Sequence, residues 1–343
     1  MPLFRFRTVK KDLQKGGGDV YYTFKLQNRS FGYITMYLQE RTRGILYGII
    51  AAVSYGLNPL FAKPLYKIGF SPDAVLFYRY IFAFAGLMLM VKLNKSPVRI
   101  PWKVVPWMVL NGVMMFCSSL CLFLSYEVMA VGIASTLLFV YPVMIAVIMT
   151  LGFREKMSSV AIASIVIAFS GVAALSSGDN VSLLGILYVI LSALAYAVYI
   201  VCVKVSPLKY VESDTLTMYC LAIGTVFFTV RLDYGMAIPA IPPEVLPWTC
   251  VLLLALLPTM VSLYTTALAI RYVGATATGI LGALEPLTGV AVGVLVFTED
   301  LTVRLLMGIL LILFGVTLLI LEKKILEYLN RKRIKVSANE TTE

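Results

Sequence analysis

The feature that most constrains this chain is a recurrence of apolar stretches about twenty residues long, each closed by a short polar break. A bilayer core is spanned by roughly 20 apolar residues of helix. Runs such as Leu183 to Val203 supply that length without a single charge. A membrane barrel would instead alternate apolar and polar positions over segments of about 10 residues. Inside lipid every backbone amide must be satisfied within its own structure, which favours helices. With 60% of its residues hydrophobic and only 14% charged, the chain carries more apolar surface than a soluble core can absorb.

The apolar stretches place spans at about 44–65, 72–92, 103–128, 131–152, 158–176, 183–204, 214–231, 247–271, 274–298 and 303–321. The breaks carry turn residues, among them Ser71-Pro72, Ser96-Pro97 and the segment from Ser176 to Asn180. Ser71 reads as a helix cap, with Pro72 as the first helical residue. The net charge is +11. Its distribution encodes orientation and gives no reason to expect a nucleic-acid partner. Basic residues crowd the N-terminal tail, the Lys92 to Lys103 break and the C-terminal tail. Lys63, Lys67, Arg231 and Arg304 fall on the other side. The positive-inside rule then puts both termini in the cytoplasm, which requires an even number of spans.

Residues 1–43 are polar and basic and include Gly16-Gly17-Gly18. Three readings stand: a regulatory or lipid-contacting tail, a disordered extension, or a chain whose first residue is really Met36. Residues 1–35 are expected to be poorly ordered. Residues 322–343 form a second basic cytoplasmic tail.

The chain also contains itself twice. Gly44-Ile45-Leu46-Tyr47 recurs as Gly185-Ile186-Leu187-Tyr188, and eight of twenty positions from 44 to 63 are identical at that offset. Tyr55 then meets Tyr196, and Lys63 meets Lys204. Further along, Val131-Gly132 meets Val273-Gly274, Pro142 meets Pro286, Glu155 meets Glu299, and Gly171-Val172 meets Gly315-Val316. Each half holds five spans, an odd number, so the second half enters the membrane upside down. The expected fold is therefore an all-α membrane protein of ten transmembrane helices in two inverted five-helix repeats, 44–177 and 182–321. Inverted repeats are a building plan of secondary transporters, with the site near the midplane between the halves.

Taken in order, these marks resemble the EamA-type transporters of the drug/metabolite transporter superfamily. The first repeat carries Ser71-Pro72 followed by Arg79, then Val131-Gly132-Ile133-Ala134-Ser135, Tyr141-Pro142, Glu155 and Gly171. The second carries Val273-Gly274-Ala275-Thr276-Ala277, Leu284-Glu285-Pro286, Glu299, Gly308 and Gly315. The likeness covers about 44–321. It implies a bacterial inner-membrane protein that moves small metabolites, often amino acids, outward. One departure stands out: Cys220 occupies the position that matches Arg79.

Glu285 is the strongest candidate for a working residue. It lies 11 residues after Gly274, about 16 Å along a helix and so near the middle of a roughly 30 Å core. A midplane carboxyl group is costly and faces a cavity or a partner. Low dielectric favours the neutral acid, the property that proton coupling needs. Glu285 reads either as a proton-coupling or amine-binding group, or as a carboxyl that joins helices. Arg79 suits a bidentate contact with a substrate carboxylate, or else a structural pairing. Tyr55 and Asn58 share one face of the first helix, with Pro59 after them. Tyr141, Tyr196 and Tyr264 sit mid-span and complete the candidate substrate-binding set. Asn111 reads as a helix-joining residue. Gly44-x3-Gly48 and Gly289-x3-Gly293 read as close-packing pairs within the chain. Glu155 and Glu299 read as structural, with Arg304 a candidate partner for Glu299.

The sequence has no histidine, which removes the commonest metal ligand and the usual catalytic base, and no GxxxxGK[ST] loop, so ATP-driven transport is not expected. The five cysteines lie in apolar stretches without a CxxC pair and read as packing residues. No cofactor, metal site or enzymatic activity is expected. The reading is a secondary exporter of small polar metabolites, amino-acid-like above all, working by alternating access with proton coupling. Its partners are substrate, membrane lipid and protons, and it acts as a monomer or weak dimer. The alternatives are an exchanger or importer of a phosphorylated or sugar-linked metabolite, and a membrane-embedded lipid enzyme.

Overall fold

The computed structural model describes residues 40–154, 158–176, 182–319 and 321. Both tails, Glu155 and the break after Ser176 lie outside the described residues. Every regular element among the described residues is helical. Seven segments are long and apolar enough to cross a membrane: Glu40–Lys67, Pro72–Asn94, Val105–Val128, Val131–Phe153, Leu183–Val203, Ser213–Arg231 and Val245–Thr266. Three shorter apolar helices, Ser159–Ala174, Leu284–Phe297 and Val303–Leu319, accompany them.

In chain order the helices are α1 (40–56), α2 (Asn58–Lys67), α3 (Pro72–Asn94), α4 (Val105–Val128), α5 (Val131–Leu138), α6 (Tyr141–Phe153) and α7 (Ser159–Ser176). They continue with α8 (Leu183–Val205), α9 (Ser213–Arg231), α10 (Val245–Ala255), α11 (Ser262–Leu281), α12 (Leu284–Phe297) and α13 (303–319). Local chemistry explains the ends. Ser71 accepts a hydrogen bond from the Ala74 amide at 3.2 Å and caps α3, with Pro72 as its first residue. Ser182 caps α8 in the same way through the Gly185 amide.

One expected boundary is wrong. The sequence reading breaks the chain between 271 and 274, whereas α11 runs unbroken from Ser262 to Leu281. No proline or polar turn lies near Gly274 to stop it. The break comes instead at Gly282-Ala283, just before Pro286. A π-helical turn, Leu256–Val261, joins α10 to α11 around Pro258.

Helices from the first half of the sequence pack on helices from the second: α3 on α9, α4 on α8 and α9, α5 on α12, and α2 on α10. In lipid such contacts rest on close van der Waals packing and interhelical hydrogen bonds. Tyr80 meets Phe228 edge-on at 5.2 Å across α3 and α9. The Ser192 hydroxyl donates to the Ser118 carbonyl at 2.7 Å across α4 and α8. Asn111 points its amide at the Cys220 sulfur, 3.8 Å away, so it joins α4 to α9. All five cysteines are free.

Glu299 also takes a different partner from the one suggested by its neighbours in sequence. Its carboxylate pairs with Lys63 at 3.2 Å, because the end of α12 packs beside α2 and the start of α5.

The α7–α13 seam supplies a test of the packing. A Cβ at Gly315 would lie 2.8 Å from backbone atoms of both Ala168 and Ser164, whereas one at Gly152 would meet nothing within 4 Å. Gly315→Val is expected to destabilise the protein by about 1–3 kcal/mol, read as a lower unfolding midpoint in detergent. Gly152→Val is expected to leave that midpoint unchanged.

Candidate functional site

Three helices lose continuity where prolines interrupt them. A proline lacks an N–H donor, and its ring displaces the preceding turn. Pro59 stands at the second position of α2, after the break at Leu57; Pro142 does the same for α6, after Phe139-Val140. Pro286 is the third residue of α12, after Gly282-Ala283. The breaks satisfy part of their own backbone: the Leu57 amide donates to Val53 O at 3.2 Å, and the Glu285 amide donates to Gly282 O at 2.9 Å. Irregular backbone of this kind is tolerated at membrane depth only inside protein or along a cavity.

The three breaks open on one small crevice. It is lined by Tyr55, Gly56 and Pro59 from the first break, Leu138 and Phe139 from the second, and Glu285 from the third, with Tyr126 and Ser135 closing it. Gly56 is required here. A Cβ at this position would lie 2.7 Å from the Glu285 carbonyl oxygen, so only glycine lets α1 approach α12 so closely. No group among the described residues hydrogen-bonds the Glu285 side chain.

The other predicted residues fall in distinct places. Tyr141 and Tyr196 stack edge-on at 4.8 Å, and Tyr196 lies parallel to Tyr199 at 5.8 Å. Of the predicted tyrosines Tyr55, Tyr141 and Tyr196, Tyr55 lines the crevice. Asn58 is buried and donates to the Tyr55 carbonyl at 2.9 Å, while its Oδ1 is buried with no partner among the described residues. Tyr264 does not join them. It is 48% exposed on the outer side of α11, because the helix face that carries it turns away from the other helices.

Arg79 is buried at 5% exposure. Its Nε donates to the Thr259 hydroxyl at 2.9 Å, and its guanidinium lies 5.4 Å from the centre of the Phe123 ring. No carboxylate among the described residues pairs with it. Thr259 belongs to the π-helical turn and also donates to the Leu254 carbonyl at 3.3 Å. A π-turn inside a helix often marks a functional position. The only sequence signal for it is Pro258 within an apolar run. Tyr126 and Ser135 were also missed. Tyr126 lies near a span end, where tyrosines read as interface anchors, and Ser135 reads as one more small packing residue.

Discontinuous apolar helices around a small crevice that holds a carboxyl group describe a multi-pass membrane transporter. The comparisons identify which kind. The model of the EamA-like transporter family matches residues 42–177 and again residues 183–321, and the chain belongs to that family. It is 25% identical over 292 residues to the "Uncharacterized transporter YvbV" of Bacillus subtilis (strain 168), covering 81% of this chain and 92% of that protein. A solved crystal structure superposes with a TM-score of 0.61 at 17% identity, over 83% of this chain and 99% of the other. At that identity the likeness speaks for the fold alone.

Thr259 offers a test of how Arg79 is held. Thr259→Val removes the acceptor and leaves a buried donor on a cation unpaired, at a cost of about 1–3 kcal/mol. The unfolding midpoint in detergent is expected to fall, and Thr259→Ser is expected to restore it.

Proposed function

We propose that this transporter exports small polar metabolites, amino-acid-like compounds first among them, by alternating access coupled to protons. In this reading the ten apolar helices form two inverted five-helix repeats, 44–177 and 182–321, which rock about the crevice. Both termini face the cytoplasm of a bacterial inner membrane. The observation that carries the reading is the crevice itself. Three proline-broken helices meet there, and Glu285 lines it with no hydrogen-bond partner among the described residues. A carboxyl group so placed is free to meet a substrate amine or a proton. Tyr55 gives it an aromatic border, and Asn58 contributes close by an acceptor with no partner among the described residues.

Arg79 supports a second reading. A buried guanidinium with a hydroxyl partner and no carboxylate partner among the described residues suits an anionic group on the cargo. An exchanger of phosphorylated metabolites would use it, and such an exchanger need not move protons.

Reconstitution in liposomes with an internal pH-sensitive dye separates the two. Amino acids, amines, sugars and sugar phosphates are added in turn, with Glu285→Gln in parallel. Proton movement that follows an amino acid or amine and is lost in Glu285→Gln is the expected result. Labelled sugar phosphate crossing without proton movement would favour the exchanger and return Glu285 to a structural role.

A further inference from the structure

We infer that Lys63, Glu299 and the first two amides of α5 form a latch that closes the crevice toward the membrane face on which Lys63 lies. The inference rests on the crevice being the transport path.

The contact is unusually complete for a group near a helix end. Glu299 Oε1 accepts from the Val131 amide at 2.8 Å, and Oε2 accepts from the Gly132 amide at 3.1 Å. Lys63 Nζ reaches Oε1 at 3.2 Å and lies 5.0 Å from the centre of the Phe297 ring. The two side chains are only 22% and 13% exposed, so water competes poorly for them. The residue that opens α5 is Ala130, which has no side-chain acceptor for the free amides. A helix normally draws its cap from its own chain just upstream. Here a carboxylate from 167 residues away supplies it, and negative charge at that end is favoured by the helix dipole. The fit is tight. A Cβ at Gly293 would run into the Glu299 carboxylate, and one at Gly132 would lie 3.4 Å from it.

The placement matters more than the strength. The latch ties α2, α5 and the end of α12, and the breaks at the other ends of these same helices line the crevice. Separating α5 from α12 on the Lys63 side must break the ion pair and uncap α5 together. A carboxylate that satisfies two amides and one ammonium group holds three helices at once, so its loss is felt as a concerted opening. Lys63 and Glu299 are matched in sequence by Lys204 and Glu155. Glu155 and the Lys204 side chain lie outside the described residues.

The test reads accessibility and needs no substrate. Ser135, which lines the crevice, is replaced by cysteine in a chain whose five native cysteines are changed to serine or alanine. A membrane-impermeant maleimide is then applied to each face of sealed vesicles. Glu299→Ala is expected to raise the labelling rate from the Lys63 face about tenfold, the population shift of an unlatched state, with no rise from the opposite face. Lys63→Met keeps the cap and removes only the ion pair, so it is expected to give a smaller rise and to fold even if Glu299→Ala does not. Unchanged labelling from the Lys63 face in Lys63→Met, together with unchanged labelling in any folded Glu299→Ala protein, would overturn the latch. Because labelling is independent of cargo, the latch can fail while the transport reading stands, and the reverse.

Discussion

The structure depends on one constraint: a backbone amide or carbonyl inside a lipid-filled layer has no water to turn to. Continuous helices meet it trivially. Breaks in a helix meet it only where other protein surrounds them. Among the described residues, breaks of this kind fall within apolar segments at Leu57, at Phe139-Val140 and at Gly282-Ala283. They cluster, because each break needs what the others provide, namely a protein-lined space that is neither lipid nor open water. The crevice is the common solution. The residues that line it are mostly the ones next to the breaks, and Gly56 is there because two backbones must nearly touch.

Much of this was legible in the sequence, for physical reasons that differ from residue to residue. Span positions follow from apolar length, and Ser71-Pro72 reads as a helix start from the chemistry of capping alone. Glu285 stands out because a carboxyl group deep in an apolar run is too costly to be incidental. Pro59, Pro142 and Pro286 stand beside the breaks, yet apolar length alone reads 44–65 and 131–152 each as one uninterrupted span. What was hidden is what depends on neighbours. Tyr264 has the same mid-span position as Tyr141 and Tyr196, yet its helix turns it outward. Thr259 is one threonine among many until Arg79 is seen to reach it. Glu299 looked like a partner for Arg304, and only tertiary packing brings it to Lys63. The two halves share the break before Pro142 and Pro286, but the break between α4 and α5 has continuous helix as its counterpart near Gly274.

The halves differ again at matched positions. Arg79 on α3 bonds to Thr259 on the π-turn, while Cys220 on α9, the residue at the matching position, takes the amide of Asn111 on α4. Both contacts run from one half of the sequence to the other, but only one is charged. A buried cation without a carboxylate partner is expensive to keep, whereas a thiol beside an amide is not.

α12 carries Glu285 in its first turn and ends at Phe297, two residues before Glu299. Fourteen residues of helix make a rod about 20 Å long, with the break at Gly282-Ala283 at one end and the left-handed Thr298 at the other. A rod so mounted transmits displacement. If a bound molecule pushes on the carboxyl group at its base, the tip must swing, and the grip of Glu299 on α5 is at that tip. Occupancy inside the protein and closure at its edge are thus joined by a single helix, with no need for a relay of small side-chain shifts between them.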